Sequence, residues 1–288
     1  GCFFMKINFL DSIEEITKDD WDAVLKNKYP FLKYDFLKAL ETTKCVSAEQ
    51  GWSPLHIVVS ENKKIIAVMP LYIKTDSQGE FIFDWSWADA YYRNGLEYYH
   101  KLVSTIPITP ASGHRILKKK KKRSPEIVKA ISDALKQISE DNNFSSVHVL
   151  LPEKKEIENF SNEDFSLRTS YSFHWFNKSY KNFDQFLDDM TSRQRKNIRK
   201  ERAKITDQGI SVLKITGDEI TTEMIETFYQ FYQVTYLKRG MRGYLNFDFF
   251  KKIIELIPES ILLVMAKNSI GDYVAGALNF FDDKKLYE

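Results

Sequence analysis

Apolar residues three and four apart mark the first helices. Asp20, an N-cap residue type, precedes Trp21, Val24 and Leu25, and Pro30 ends that segment. Phe36, Leu37 and Leu40 predict a second helix over 34–42. The pattern then shortens to strand-like runs. Residues 55–60 (LHIVVS), a polar turn at 61–64 and a return run at 65–74 (IIAVMPLYIK) predict a hairpin. Pro70 within the return run removes a ladder donor, which predicts an edge or a bulge there. Residues 81–85 (FIFDW) read as a third strand, and the aromatic stretch 86–101 reads as irregular chain, followed by breaks at Pro107, Pro110 and Gly113. Ser124-Pro125-Glu126 opens a helix whose stripe is Ile127, Val128, Ile131, Leu135 and Ile138, and residues 146–151 follow as a strand.

Beyond Tyr171 the same vocabulary returns. Asn182 caps a short helix with Phe183, Phe186, Leu187 and Met190. A basic helix spans 192–207 and stops at Gly209, and residues 211–215 form a strand. A long helix covers 222–239, with Ile225, Phe228, Tyr229, Tyr232 and Tyr236 on one face, and another covers 248–256. Residues 261–267 and 273–281 predict a second hairpin. Helices alternating with strands in this order predict an α/β (α+β) fold.

Length and charge narrow the class. The chain has 288 residues, room for about two domains, which the pattern divides into 1–170 and 171–288. Hydrophobic residues make up 43% and charged ones 28%, the balance of a folded chain. Forty-two Lys+Arg against forty Asp+Glu leave +2, which argues against a DNA-coating protein while leaving room for local basic patches. The two cysteines, Cys2 and Cys45, form no CxxC pair, so no thiolate metal site is expected and a reducing cytoplasm fits. No apolar run approaches the ~18 residues of a membrane span. Residues 1–4, ahead of Met5, are too short for a signal peptide and read as an expression-vector remnant.

The halves share words. Phe31-Leu32-Lys33-Tyr34-Asp35-Phe36-Leu37-Lys38 matches Tyr244-Leu245-Asn246-Phe247-Asp248-Phe249-Phe250-Lys251 in its hydrophobic and acidic positions, and each precedes a hairpin. Both return strands have a small-residue centre, at Ala67 and at Ala275-Gly276-Ala277. A hairpin whose second strand is broken in the middle is the layout of an acetyltransferase-like domain, in which a bulge presents a backbone N–H to an acyl carbonyl.

With Gly51-Trp52-Ser53-Pro54, Pro70-Leu71-Tyr72-Ile73-Lys74, Ser77-Gln78-Gly79-Glu80, Phe83-Asp84-Trp85-Ser86-Trp87-Ala88-Asp89-Ala90-Tyr91, Phe173-His174-Trp175 and Arg195-Lys196-Asn197-Ile198-Arg199-Lys200-Glu201-Arg202, the chain resembles the FemAB-like proteins of the GNAT acetyltransferase superfamily, the peptidoglycan biosynthesis/recognition group. The resemblance implies tandem GNAT domains and transfer of an acyl or aminoacyl group to an amine of a cell-wall precursor or similar acceptor. It also implies acyl-CoA or aminoacyl-tRNA as donor, without a metal. Relatives continue past the second hairpin with a further strand and helical region, whereas this chain stops at Leu286-Tyr287-Glu288. The second domain is therefore expected to be incomplete and to lack the element that cradles a CoA pyrophosphate.

Amide formation needs a base, an oxyanion donor and a held amine. Asp84 and Asp89 flank Trp85 and Trp87, with Tyr91, Tyr92 and Arg93 beyond. Carboxylates among indoles are candidates for raised pKa values and a catalytic role, with the aromatic walls holding a sugar or peptide. The alternative has the indoles in the core and the acids capping turns. Tyr98, Tyr99, His100 and Lys101 are expected along the same cleft. Thr109, Gly113 and Arg115 are expected either to hold a phosphate or to form an ordinary turn. The basic run 118–123 reads as a solvated loop, with contact to phosphate or RNA as the alternative. In the basic helix, Arg195, Arg199 and Arg202 share a face adjoined by Lys196 and Lys200, an anion-binding pattern suited to a nucleotide-linked substrate or a tRNA end. The expected partners are a small-molecule or peptide acceptor and a tRNA. The rival readings are a non-catalytic module for a peptidoglycan-like or anionic ligand, and an RNA-binding protein, although the aromatics follow no RNP pattern.

Overall fold

The computed structural model describes residues 5–25, 28–119 and 123–288. In chain order β1 (Met5–Leu10), α1 (Lys18–Asp22) and α2 (Tyr34–Thr42) lead to β2 (Trp52–Pro54), the hairpin β3 (His56–Glu61) and β4 (Lys64–Met69), and β5 (Tyr72–Lys74). Next come α3 (Trp85–Arg93), β6 (Lys101–Ser104), β7 (Leu117–Lys118), α4 (Ser124–Asn142), β8 (Val147–Val149) and α5 (Lys154–Ser161). After a stretch with neither helix nor strand, α6 (Phe183–Asp188), α7 (Ser192–Asp207), β9 (Ser211–Thr216), α8 (Thr222–Leu237), α9 (Phe247–Leu256), β10 (Ile261–Lys267), β11 (Tyr273–Phe281) and β12 (Leu286–Tyr287) complete the chain.

Three four-stranded sheets result, ordered β1-β3-β4-β7, β2-β5-β6-β8 and β12-β11-β10-β9. Among the described residues strand pairing is antiparallel except between β6 and β8, and an isolated parallel bridge joins Gly113 to Pro152 just beyond β8. Pro70-Leu71 interrupts the first return strand as the missing donor requires, and the chain passes there from the first sheet into the second. The hairpin turns at Asn62 and Lys63, both at positive φ, the geometry of a two-residue turn matched to strand twist.

The first and third sheets share an order of assembly. Each begins with a strand, continues through two helices into a hairpin and closes with a two-residue strand. The matched words lie on α2 and α9, which pack against each other. Phe36 and Phe249, equivalent in those words, meet with ring centroids 5.8 Å apart. Lys33 and Asn246 are also equivalent. Lys33 Nζ donates to Ser260 Oγ (2.9 Å) just past α9, and Asn246 Nδ2 donates to the Thr43 carbonyl (2.6 Å) just past α2. One hydrophobic cluster runs from Trp21, Leu37 and Trp52 through to Phe249, Ile261 and Met265.

Several expectations need correction. Residues 81–85 form no strand, and the aromatic stretch after them is largely α3. The mostly apolar run suggested a strand, but Phe81 takes a positive φ, Phe81, Phe83 and Trp85 are exposed while Asp84 is buried, and α3 begins at Trp85. The N-cap of α1 is Thr17, whose Oγ1 accepts from Asp20 N (3.2 Å). β11 is a nine-residue strand whose pairing with β10 shifts register at Val274, near its start, and not at its small-residue centre. Its small centre serves packing, since a Cβ on Gly276 would lie 2.7 Å from Met265 Sδ and 3.4 Å from the Phe228 ring.

Candidate functional site

Cross-strand register places Lys74 of β5 opposite Lys101 of β6. Both side chains are fully buried. Two like charges on one buried face repel unless acids intervene, and the loop ahead of α3 supplies them. Lys101 Nζ donates to Glu80 Oε2 (2.9 Å) and to Asp84 Oδ2. Lys74 Nζ donates to Asp76 Oδ1 (3.3 Å) and the Gln78 carbonyl (3.2 Å), and lies 3.7 Å from the centroid of the Trp52 ring. Asp84 also accepts from Ser77 Oγ, Tyr98 OH (2.6 Å) and Tyr99 OH (3.4 Å).

The two acids therefore divide. Burial opposes ionisation of Asp84, but the bonds from Lys101, Ser77 and Tyr98 outweigh it and hold the carboxyl down at about 2. Burial dominates at Glu80 and pushes it up to about 7 despite Lys101. Its Oε1 has no partner among the described residues. Burial lowers Lys74 to about 8. The raised pKa expected for Asp84 is thus found at Glu80, and Asp84 is a buried, ionised anchor.

Asp84 borders a groove of about 610 Å³ bounded by residues 81–84, by β8 with 150–152, and by 165–170. His148 of β8 borders it too. His148 Nε2 lies 2.8 Å from Ser146 Oγ and 3.3 Å from Tyr98 OH. The Tyr98 proton is committed to Asp84, so its oxygen accepts from the imidazole. The Nε2–H tautomer satisfies both contacts, donating to the Ser146 and Tyr98 oxygens, and in it Nδ1 is an acceptor with no partner among the described residues. Burial, with Lys101 nearby, lowers His148 to about 4, so the ring is neutral near pH 7.

The remaining expected residues scatter. Asp89 is exposed on α3 and pairs with Arg93 one turn on (2.6 Å). Trp85 and Trp87 are 57% and 54% exposed, so they do not fill the core, and Trp85 stacks on Phe83 with centroids 4.4 Å apart. Tyr91 meets Tyr98 edge-on at 5.0 Å. Arg115 is fully buried. Its guanidinium donates to the carbonyls of Leu150 (2.7 Å), Ala111 (2.8 Å), Gly113 (3.2 Å) and His114 (3.2 Å), and it shares a hydrogen bond with Tyr29. The guanidinium is thus engaged by main-chain carbonyls of 111–114 and 150, the arrangement of the ordinary-turn alternative.

Arg195, Arg199 and Arg202 do share a face, and it is turned to α6. Arg195 pairs with Asp188 (3.3 Å), Arg199 with Asp184 (3.4 Å), and Arg202 lies 4.3 Å from the Phe183 ring centroid. Lys196 and Lys200 are exposed beside them. Arg123 pairs with Glu61, while 120–122 of the basic run lie outside the described residues, as does Cys2. Among the described residues no group of three His, Cys, Asp or Glu could hold a metal, and no helix is long and apolar enough to cross a membrane.

Lys74, Ser77 and Glu80 stand in words that carry the family resemblance, but neither they nor His148 were expected as site residues. The available signal was a lysine closing each of two apolar strands, but the cross-strand register that joins them is not local information.

A buried ion cluster behind a groove, on a mixed α/β scaffold of three sheets, places the chain among α/β proteins with a ligand-sized site at a sheet edge. The chain belongs to the FemAB-like family, described as peptidoglycan biosynthesis/recognition, whose sequence profile matches residues 12–288. Among solved structures it is similar to FemX at 15% identity and a TM-score of 0.46, over 88% of this chain and 57% of that one. It is also similar to the ribosomal-protein-alanine N-acetyltransferase from Brucella melitensis biovar Abortus 2308, at 12% identity and a TM-score of 0.35, over 60% of this chain and 99% of that one. A possible acetyltransferase from Clostridium difficile 630 gives 13% identity and a TM-score of 0.35, over 61% and 99%. The chain thus spans just over half the length of FemX. No curated protein sequence matches it.

Proposed function

We propose that this FemAB-like chain transfers an acyl or aminoacyl group to an amine of a cell-wall precursor or similar acceptor, with the amine held in the groove beside β8. The two halves are read as copies of one GNAT-like unit, supported by the matched sheet order and the α2–α9 contact. The observation that carries the functional reading is the Asp84–Tyr98–His148 chain ending at a free Nδ1 beside the groove. Nδ1 takes a proton from the acceptor amine as its nitrogen bonds to the acyl carbon. The acyl–sulfur or acyl–oxygen bond of the donor breaks, and the imidazolium returns the proton to the leaving group. Asp84, held ionised by Lys101, fixes the Tyr98 hydroxyl and through it the ring orientation. It is a positioning residue in this scheme, and Asp89 is not required. Trp85, Trp87 and Tyr91 flank the approach. The exposed Lys196 and Lys200 of α7 supply the charge that attracts an anionic donor, acyl-CoA or aminoacyl-tRNA.

The test incubates the protein with each donor class and a muropeptide precursor bearing a free amine, and reads amide product by mass spectrometry. Product from one donor class is the expected result. No product and no binding of either donor removes the transferase reading and leaves a binding module for an anionic ligand.

A further inference from the structure

We propose that the groove beside β8 takes an extended polypeptide as an added strand, bound through the main-chain groups of Val147 and Val149. This rests on reading that groove as the acceptor site and defines how the acceptor is held. β8 is the open edge of its sheet. Its parallel ladder to β6 uses alternate residues, with Leu102 N donating to the Ser146 carbonyl (2.9 Å) and Leu150 N to the Ser104 carbonyl (2.9 Å). In such a ladder the intervening residues point their N–H and C=O the other way. Val147 and Val149 are those residues. Both border the groove, and no hydrogen bond takes their main chain on that side among the described residues.

The other sheet edges are guarded. β1 carries Lys6, β2 Pro54, β7 Lys118 and β9 Lys214, and β12 follows Lys284 and Lys285. Lysine and proline on edge strands block pairing with another chain. β8, Val-His-Val, carries neither. An unguarded edge lining a cavity is the arrangement used for β-strand addition, where main-chain bonds bind and flanking pockets select side chains. The pockets here are apolar, formed by Phe81, Phe83, Phe165 and Leu167. The length suits a short segment, since β8 is extended over 147–149 only, about 10 Å at a strand rise of ~3.3 Å, and beyond it Leu151 takes a positive φ and its carbonyl accepts from Gly113 N (3.2 Å). Charge selects further. Asp84 is compensated by Lys101 and His148 is neutral, so the groove's remaining charge is Arg168, which favours a peptide carrying a carboxylate.

The probe is acetyl-Ala-Val-Lys-Val-Ala with a free carboxylate, titrated calorimetrically into the whole chain. Two N-methylated versions accompany it, one methylated on both valines, the other on the lysine and the last alanine. Strand addition predicts that one pattern weakens binding about tenfold or more, because its N–H groups face β8, and the other stays within about twofold. Equal losses, or none, overturn the proposal. On the protein side Val149→Pro removes the edge donor and should abolish binding, while Val149→Ala retains it. If the proline variant fails to fold, the methylation pattern still decides. Absence of binding to the parent with tight binding to Phe173→Ser would assign the edge to the chain's own segment 171–175 and also overturn it. An alternating methylation pattern without amide product from any donor sinks the transferase reading alone. Product from a non-peptide amine with no peptide bound sinks this inference alone.

Discussion

Replacing Glu80 by Gln isolates the least expected group in the buried cluster. Lys101 is shared between two carboxylates. Asp84 receives three further donors, whereas Glu80 has one bonded oxygen and one orphan. The proton therefore settles on Glu80, with a folded pKa of about 7 against 4.5. An acid whose folded pKa is raised contributes its full stability below 4.5 and loses it as pH rises through about 7, because the unfolded chain gives up the proton first. Integrating that difference from pH 5 to 7.5, at ~1.36 kcal/mol per unit, gives a loss of about 2 kcal/mol. The wild-type curve alone hides this loss. His148, lowered to about 4, adds stability over much of the same range as its unfolded counterpart deprotonates. The informative quantity is the stability of Glu80→Gln minus that of the wild type, measured by urea denaturation at several pH values. It should grow by about 2 kcal/mol between pH 5 and 7.5. A flat difference, with the variant less stable throughout, would mean that Lys101 keeps Glu80 ionised, and would refute the division of charge between the two acids.

Arg115→Met removes every donor holding the carbonyls of Ala111, Gly113, His114 and Leu150, and should cost about 3–5 kcal/mol in chemical denaturation. A cost under about 1 kcal/mol would free Arg115 for the phosphate role. Phe249→Ala opens the shared core where α2 meets α9 and should cost about 3–5 kcal/mol, with one unfolding transition monitored by both fluorescence and circular dichroism. Two separated transitions would show that the halves do not share a core. Asp89→Asn breaks only an exposed pair with Arg93 and should change stability by under about 0.5 kcal/mol and turnover by less than twofold. A tenfold loss of turnover would return Asp89 to the chemistry.

Helix and hairpin positions in the rear half were legible because their patterns are long. α7 and both strands of the second hairpin fall where periodicity puts them, and Asn182 caps α6 as its residue type predicts. Pro70 was equally legible, since a missing donor acts locally. The site was not. Asp84 stood out among tryptophans, yet its role depends on Lys101, Tyr98 and Ser77 arriving from separate segments. His148 lay in an ordinary apolar strand, and only the parallel pairing of β8 with β6 brings it to Tyr98. For Arg115 the phosphate site and the ordinary turn stayed open, because no local pattern reports four carbonyls closing around a guanidinium.

The most direct test of the proposed chemistry is the turnover number of His148→Gln in the amide-forming assay, with circular dichroism as the check on folding. If the free Nδ1 accepts the amine proton, kcat falls on the order of 10² or more while KM changes little. Turnover within about threefold of the parent would contradict it and place the chemistry elsewhere in the molecule.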